Sequence, residues 1–193
     1  MVQTLGCVVM AAGNARRFGA NKLAAGVGGR SLVLRALEAV PAENFETVAV
    51  VTQYPEVMDL AEQFHFSAVR NEHPDWGISH TIRLGLEALG NCGGACFLVS
   101  DQPLLRRKSV RDLTELWRGR PDKIAALAHG GVRGNPCIFP ARFFPELLEL
   151  REDHGGNTVI RRHEEALILW EVPEEELTDV DTPEALKRLG GSP

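Results

Sequence analysis

Gly13 and Gly19 enclose Asn14-Ala15-Arg16-Arg17-Phe18, and Lys22 follows three residues after Gly19. Glycines let a backbone approach phosphate oxygens closely, its N–H groups donate into them, and Arg17 and Lys22 can neutralise the charge that builds as pyrophosphate leaves. A triphosphate is the natural ligand of such a loop. The spacing is not G-x-x-x-x-G-K-[ST], because Ala20-Asn21 separates Gly19 from Lys22, and Gly26-x-Gly28-Gly29 is not G-x-G-x-x-G. The stretch is therefore neither a Walker loop nor a dinucleotide fingerprint, and on local pattern alone it reads equally well as a solvated loop.

A triphosphate in transfer chemistry travels with a hard cation, which takes oxygen ligands and bridges one or two carboxylates to the phosphates. Asp101 directly follows the apolar run Ala95 to Val99 and Ser100, where a carboxylate faces a ligand crevice. Asp179-Val180-Asp181-Thr182-Pro183-Glu184 offers a second set. Taken singly, each has a plainer reading: Asp181 or Thr182 as a helix cap, and Asp101 as a turn residue.

The elements that must position these groups alternate. Leu5 to Ala12 is a Val-rich run ending at Gly13, as a buried parallel strand entering a functional loop does. The glycines between Gly13 and Arg30 predict a long loop that wraps a ligand. Ser31 can cap a helix carrying Leu32, Leu34, Leu37 and Val40 and stopped by Pro41. Strands are expected at Thr47 to Thr52, Phe66 to Val69, Ala95 to Val99, Ile124 to Ala128, Cys137 to Phe139 and Leu167 to Glu171. Helices are expected at Pro55 to Phe64, Ser79 to Leu89, Val110 to Trp117, Phe143 to Leu150 and Thr158 to His163, with a last one from Pro183. This order implies an α/β fold with a mainly parallel sheet covered on both faces. The tail Gly190-Gly191-Ser192-Pro193 is expected to fray.

At 193 residues and 44% apolar content, one domain over residues 1–193 is the expectation. A net charge of −5 without long runs of either sign disfavours nucleic acid. Four cysteines, with Cys92 and Cys96 too sparse for a metal pair, suit free thiols in a reducing cytoplasm. The sequence carries neither a secretory leader pattern nor a stretch long and apolar enough for a membrane span.

The segment Ala11-Ala12-Gly13-Asn14-Ala15-Arg16-Arg17-Phe18-Gly19-Ala20-Asn21-Lys22 resembles the A-A-G-x-x-x-R-[MF]-G-x-x-K signature of MobA-like nucleotidyltransferases. The A-A-G opening is most similar to the molybdenum cofactor cytidylyltransferase branch. Asp101-Gln102-Pro103 resembles that family's D-Q-P, and Asp179-Val180-Asp181-Thr182-Pro183-Glu184 its D-[IV]-D-T-P-E, in the same chain order. Asn71 through Ser79 to Arg83 resembles its N-x-x-[WY]-x-x-G-[ML]-x-x-S block, Gly134-Asn135-Pro136 its G-H-P and Glu152-Asp153-His154-Gly155-Gly156 its G-D-x-G-[AG] turn. Within that block Trp76 reads most simply as a packing residue.

The resemblance implies a Rossmann-like three-layer sandwich of the nucleotide-diphospho-sugar transferase type, mostly parallel with one antiparallel strand. It implies Arg17, Lys22 and Asp101 as catalytic, and Asp101 and Asp181 as Mg²⁺ ligands, with Asp179 structural. Ala11, Ala12, Gly13, Arg17, Gly19, Lys22, Asn71, Gly77 and Ser79 would bind the nucleotide, CTP by that branch. Gly134, Asn135, Pro136, Asp153 and Gly155 would bind a small phosphate acceptor, molybdopterin by that branch, with a molybdenum hydroxylase as possible client. Asn135 stands where the family has histidine, which keeps a noncatalytic cofactor-binding maturation chaperone as an alternative. A transferase using another nucleoside triphosphate and a sugar or other small phosphate is a second alternative.

Overall fold

The computed structural model describes residues 3–13 and 25–192. In chain order the described elements are β1 (Leu5–Ala11), β2 (Gly26–Val27), β3 (Arg30–Ser31), α1 (Leu32–Glu38), β4 (Thr47–Thr52), α2 (Pro55–Gln63) and β5 (Ser67–Arg70). They continue with α3 (Ile78–Leu89), β6 (Gly94–Val99), α4 (Arg107–Gly119), β7 (Ile124–His129), β8 (Val132–Pro140), α5 (Phe144–Glu149) and α6 (Gly156–Arg162). The last are β9 (Leu167–Glu171), α7 (Pro183–Arg188) and β10 (Gly191–Ser192).

Seven strands form one sheet in the order β5-β4-β1-β6-β8-β7-β9. β1 lies between β4 and β6, parallel to both, and β7 is parallel to β9. β8 is antiparallel to β6 on one side and to β7 on the other, so it is the one reversed strand of this sheet. The expected mostly parallel α/β sandwich is what the chain adopts.

The apolar runs work because successive side chains of a strand point to opposite faces. Cys7 and Val9 of β1 join Cys96 and Leu98 of β6 in one core, under Leu37, Val57, Leu113 and Trp117 of α1, α2 and α4. Val8 and Phe97 face the other way, under Ile82, Leu147 and Ile160 of α3, α5 and α6. Each fully buried Leu or Ile contributes about 1.5–3 kcal/mol, and both faces are covered, hence the continuous rather than alternating apolar pattern. Ser31 caps α1 as its position suggested, its Oγ accepting from Leu34 N at 3.3 Å.

Three expectations are corrected. The strand expected at Cys137 to Phe139 begins at Val132, because β7 and β8 form a tight hairpin in which His129 pairs with Val132. Gly130 and Gly131 turn the chain with φ of 57° and 77°, the mirror-image turn that favours glycine at both central positions. The Glu171 carboxylate secures that turn, accepting from both glycine N–H groups at 2.8 and 3.0 Å. The long loop expected up to Arg30 gives way to the β2–β3 hairpin. The tail expected to fray instead pairs, Gly191 with Val27 and Ser192 with Gly26, so β10, β2 and β3 make a second small sheet.

Candidate functional site

Parallel strands β4, β1 and β6 end at one edge, and their ends are tied together. Thr52 Oγ1 donates to Ala11 O at 2.9 Å, Gln53 Nε2 to Ala12 O at 2.9 Å and Tyr54 Oη to Gly13 O at 3.3 Å. From the β6 side Ser100 Oγ donates to Met10 O at 2.9 Å. β1 ends at Ala11; Ala11 and Ala12 are buried and Gly13 is exposed, so the chain reaches the surface at Gly13. Arg17, Gly19 and Lys22 lie outside the described residues. The clasp formed by Thr52, Gln53 and Tyr54 was not foreseen; its sequence signal is the polar end of an otherwise apolar strand.

The two carboxylate motifs meet. Val180 N donates to Asp101 O at 2.8 Å, and Gln102 Nε2 donates to Leu177 O at 3.3 Å and to Asp179 Oδ1 at 3.0 Å. Glu176, only 1% exposed, accepts from Arg106 N through Oε2 at 3.1 Å, and its Oε1 is 3.6 Å from Arg106 Nε. Segments 101–106 and 176–181 therefore form one unit at the end of β6. Asp179 is engaged by Gln102, as its structural reading implied. The helix cap falls to Thr182, whose Oγ1 accepts from Ala185 N at 3.1 Å.

Among the described residues no group of three or more His, Cys, Asp or Glu could cage a metal. The donor set instead offers Asp101 and Asp181, carboxylates on adjoining segments. Two carboxylates are the donor chemistry a hard divalent cation takes when substrate phosphates and water complete its shell.

Asn71 and Gly77 sit on the segment that leads into α3, and Ser79 in its first turn. Asn71 is 2% exposed; its Oδ1 accepts from His73 N at 2.9 Å and its Nδ2 donates to Thr81 Oγ1 at 3.3 Å. Its side chain thus shapes the segment. Gly77 has φ of 83°, and a Cβ there would overlap the Glu152 carbonyl and lie 2.7 Å from Asp153 N. Ser79 N donates to Glu152 O at 3.1 Å, so this segment and the turn after α5 are pressed together. Trp76 is 58% exposed rather than packed in the core. It stacks on His73 with centroids 4.1 Å apart and meets His80 edge-on at 4.9 Å, beside a 340 Å³ cavity that also touches Arg83 and Arg151. Burial, followed by the charge of His73, lowers the pKa of His80.

A cavity of about 650 Å³ opens next to the carboxylate unit. Its apolar wall includes Ile82, Phe97, Phe139 and Ile160, and its polar wall Gln102, Arg133, Asn135, Asn157 and Asp179. Gly134, Asn135 and Gly155 all line it. Pro136 and Asp153 are placed elsewhere: Pro136 is buried after a cis Asn135–Pro136 peptide, and Asp153 is exposed beside Gly77. Arg133 and Asn157, hydrogen-bonded to each other, were missed. Arg133 directly precedes Gly134, yet only the hairpin shows that it reaches this wall. Cys137, also on the wall, has its thiol pushed up to about 12 by burial.

Sheet order, clasp and carboxylate unit together define a three-layer α/β protein of the nucleotide-diphospho-sugar transferase fold, with its crevice where β1 and β6 end. The chain belongs to the MobA-like NTP transferase domain family, which it matches over residues 7–166, and is a nucleotidyltransferase. It is 26% identical over 190 residues to the purine catabolism protein PucB of Bacillus subtilis, covering 92% of this chain and 91% of that one. A nucleotidyl transferase from Methanothermobacter thermautotroptrophicus superposes with a TM-score of 0.81 at 20% identity, over 96% of this chain and 95% of that one. Rv0371c from Mycobacterium tuberculosis H37Rv does so with a TM-score of 0.80 at 19% identity, over 98% of each chain. The same protein in complex with manganese gives 0.74 at 19% identity over 97% of each chain. Among the described residues of this chain, no helix is long and apolar enough to cross a membrane.

Proposed function

We propose that this chain transfers CMP from CTP to the phosphate of molybdopterin and releases pyrophosphate. The observation that carries the reading is the joining of Asp101 to the Val180-Asp181 segment beside the 650 Å³ cavity. The two carboxylate motifs and a cavity able to take a second substrate thereby adjoin the sheet edge at which β1 and β6 end. The A-A-G opening and the ordered D-Q-P and D-V-D-T-P-E motifs favour CTP and this acceptor.

In the proposed step an acceptor phosphate oxygen attacks the α-phosphorus in line; the new P–O bond forms as the bond to the β-phosphate bridge breaks. The attacking phosphate is already anionic near neutral pH, so no protein nucleophile is required, and positioning and electrostatics supply the catalysis. Backbone from Ala11 to Gly13 and at Gly19 cradles the triphosphate, while Arg17 and Lys22 stabilise the departing pyrophosphate. Asn71, Gly77 and Ser79 shape the nucleotide side. Gly134, Asn135 and Gly155 line the acceptor side, with Pro136 and Asp153 supporting it. Asp101 and Asp181 would hold Mg²⁺, which when bound would neutralise charge on the phosphates.

Asn135 favours one competing reading. It lines the cavity where the family carries histidine, and a protein that only binds and delivers the cofactor to a molybdenum hydroxylase would retain the cavity without turnover.

The test is thermal shift with CTP, GTP, ATP and UTP, with and without Mg²⁺, followed by pyrophosphate release with molybdopterin. A Mg²⁺-dependent rise selective for CTP, lost in Asp101→Ala, together with pyrophosphate release, is expected. Selectivity for another nucleotide removes the cytidylyl assignment. Molybdopterin binding with no response to any triphosphate turns the reading to the chaperone.

A further inference from the structure

Thr52-Gln53-Tyr54 ends β4 and enters α2, and each of these side chains donates to one of three successive carbonyls: Ala11 O, Ala12 O and Gly13 O. In a regular strand successive carbonyls turn to opposite neighbours. β1 keeps that alternation up to Ala11, since Met10 O accepts from Ser100 just past β6 and Ala11 O from Thr52 at the end of β4. At Ala12 the alternation stops, because the next two carbonyls also go to the segment that follows β4. The N–H that follows a carbonyl lies in the same peptide plane and points the opposite way. Ala12 N–H and Gly13 N–H are therefore both turned from β4, toward the side on which β6 ends just before Asp101. Among the described residues neither donates to a backbone carbonyl. Two successive N–H groups on one side form a concavity for an anion.

The clasp is itself braced. Thr52 is fully buried, and its Oγ1 accepts from Tyr54 N at 3.2 Å while donating to Ala11 O, so its proton has one direction. Its carbonyl accepts from Asn71 N at 2.7 Å, and Pro55 opens α2 directly after Tyr54. We infer that Thr52, Gln53 and Tyr54 are positioning residues for the triphosphate: by holding three carbonyls to one side they aim the Ala12 and Gly13 N–H groups at phosphate oxygens. They act through the backbone, and the N–H pair is set before the anion arrives, so binding costs little reordering there. The inference rests on the proposed transferase for the identity of the anion.

The experiment is heteronuclear NMR of the Ala12 and Gly13 amides in the full chain, titrated with inorganic tripolyphosphate. It is run on wild type, Thr52→Val, Thr52→Ser and the double variant Gln53→Met/Tyr54→Phe. In wild type tripolyphosphate shifts both amides. Thr52→Val and the double variant each bind it about ten-fold more weakly, the scale of one or two lost hydrogen bonds, with both shifts reduced. Thr52→Ser, which keeps the hydroxyl, restores binding and shifts. Should Thr52→Val fail to fold, the double variant, changed at two half-buried positions, decides in its place. Wild-type amides that stay silent overturn the inference, as does Thr52→Ser as weak as Thr52→Val. A variant whose loss comes with moved amide signals in the distant strands β7 and β9 marks a merely structural role and overturns it too. Pyrophosphate release from Mg-CTP is followed separately in wild type. No release with the amide pattern intact overturns the transferase and leaves the clasp; release with both amides silent overturns the clasp and leaves the transferase.

Discussion

Val180 N donates to the carbonyl oxygen of Asp101 at 2.8 Å, so the backbone itself holds the two carboxylate motifs together. The approach of the two backbone segments is set without a ligand, and in the proposed transfer the charge developing on the phosphates would meet a site that needs little rearrangement. Asp101→Asn keeps this main-chain bond and removes a negative oxygen donor. We expect turnover to fall at least about a hundred-fold, the scale of losing several kcal/mol of charge stabilisation, with little change in the melting curve. Steady-state pyrophosphate release and circular dichroism check both halves.

Glu176 secures the same unit from behind. Its buried carboxylate accepts from Arg106 N at 3.1 Å, and Glu176→Ala leaves that donor without its partner. The expected cost is about 2 kcal/mol, read as a lower urea midpoint at unchanged slope. Turnover should fall as well, because Glu176 holds together the segments that carry Asp101 and Asp181.

Gly77→Ala places a side chain against the Glu152 carbonyl at a φ of 83°. Strain and overlap together are expected to cost at least about 2 kcal/mol, and the Trp76–His73 stack should loosen with them. Tryptophan fluorescence alongside the unfolding curve separates the local effect from the global one.

Burial raises the Cys137 thiol from 9.0 to about 12. Below pH 9 both folded and unfolded forms keep the proton, and this group makes stability independent of pH. Between pH 9 and about 12 only the unfolded chain ionises there, so unfolding releases a proton and stability falls as pH rises. Urea unfolding from pH 8.5 to 10.5 should show the decline. Cys137→Ala should make it shallower without abolishing it, because burial also raises Cys92, and a hydrogen bond with Cys7 together with burial raises Cys96. The native thiol should resist alkylation at pH 8.

The parts of the molecule legible in the sequence are those where local pattern and burial agree. β4 and β9 lie at Thr47–Thr52 and Leu167–Glu171 as expected, because apolar β-formers there meet polar or turn residues at both ends. The position of Asp101 just beyond β6 was legible for a similar reason: the apolar run Ala95 to Val99 marks where that strand ends. The front of β8 was not, because Val132 to Asn135 is held by pairing with β7 and by the Gly130-Gly131 turn rather than by its own apolarity. That miss concealed Arg133. Trp76 misled because a large aromatic usually fills a core, whereas here its stacking partners, His73 and His80, come from the same surface segment. The Gln102–Asp179 bond joins residues 77 positions apart, and no pattern in either segment announces it. Arg17, Gly19 and Lys22 lie outside the described residues, and their placement is carried by motif alone.

Because β8 alone runs against its neighbours in the large sheet, Arg133, Gly134 and Asn135 reach the cavity on a hairpin distant in sequence from Asp101 and from the chain leaving Ala11. The fold is divisible along that line. A descendant gene could rewrite residues 129–136 and present a different wall to the second substrate while the edge formed by β4, β1 and β6 is inherited intact. For protein engineering, this hairpin is the natural cassette to exchange, one short insert whose replacement redirects the enzyme rather than rebuilding it.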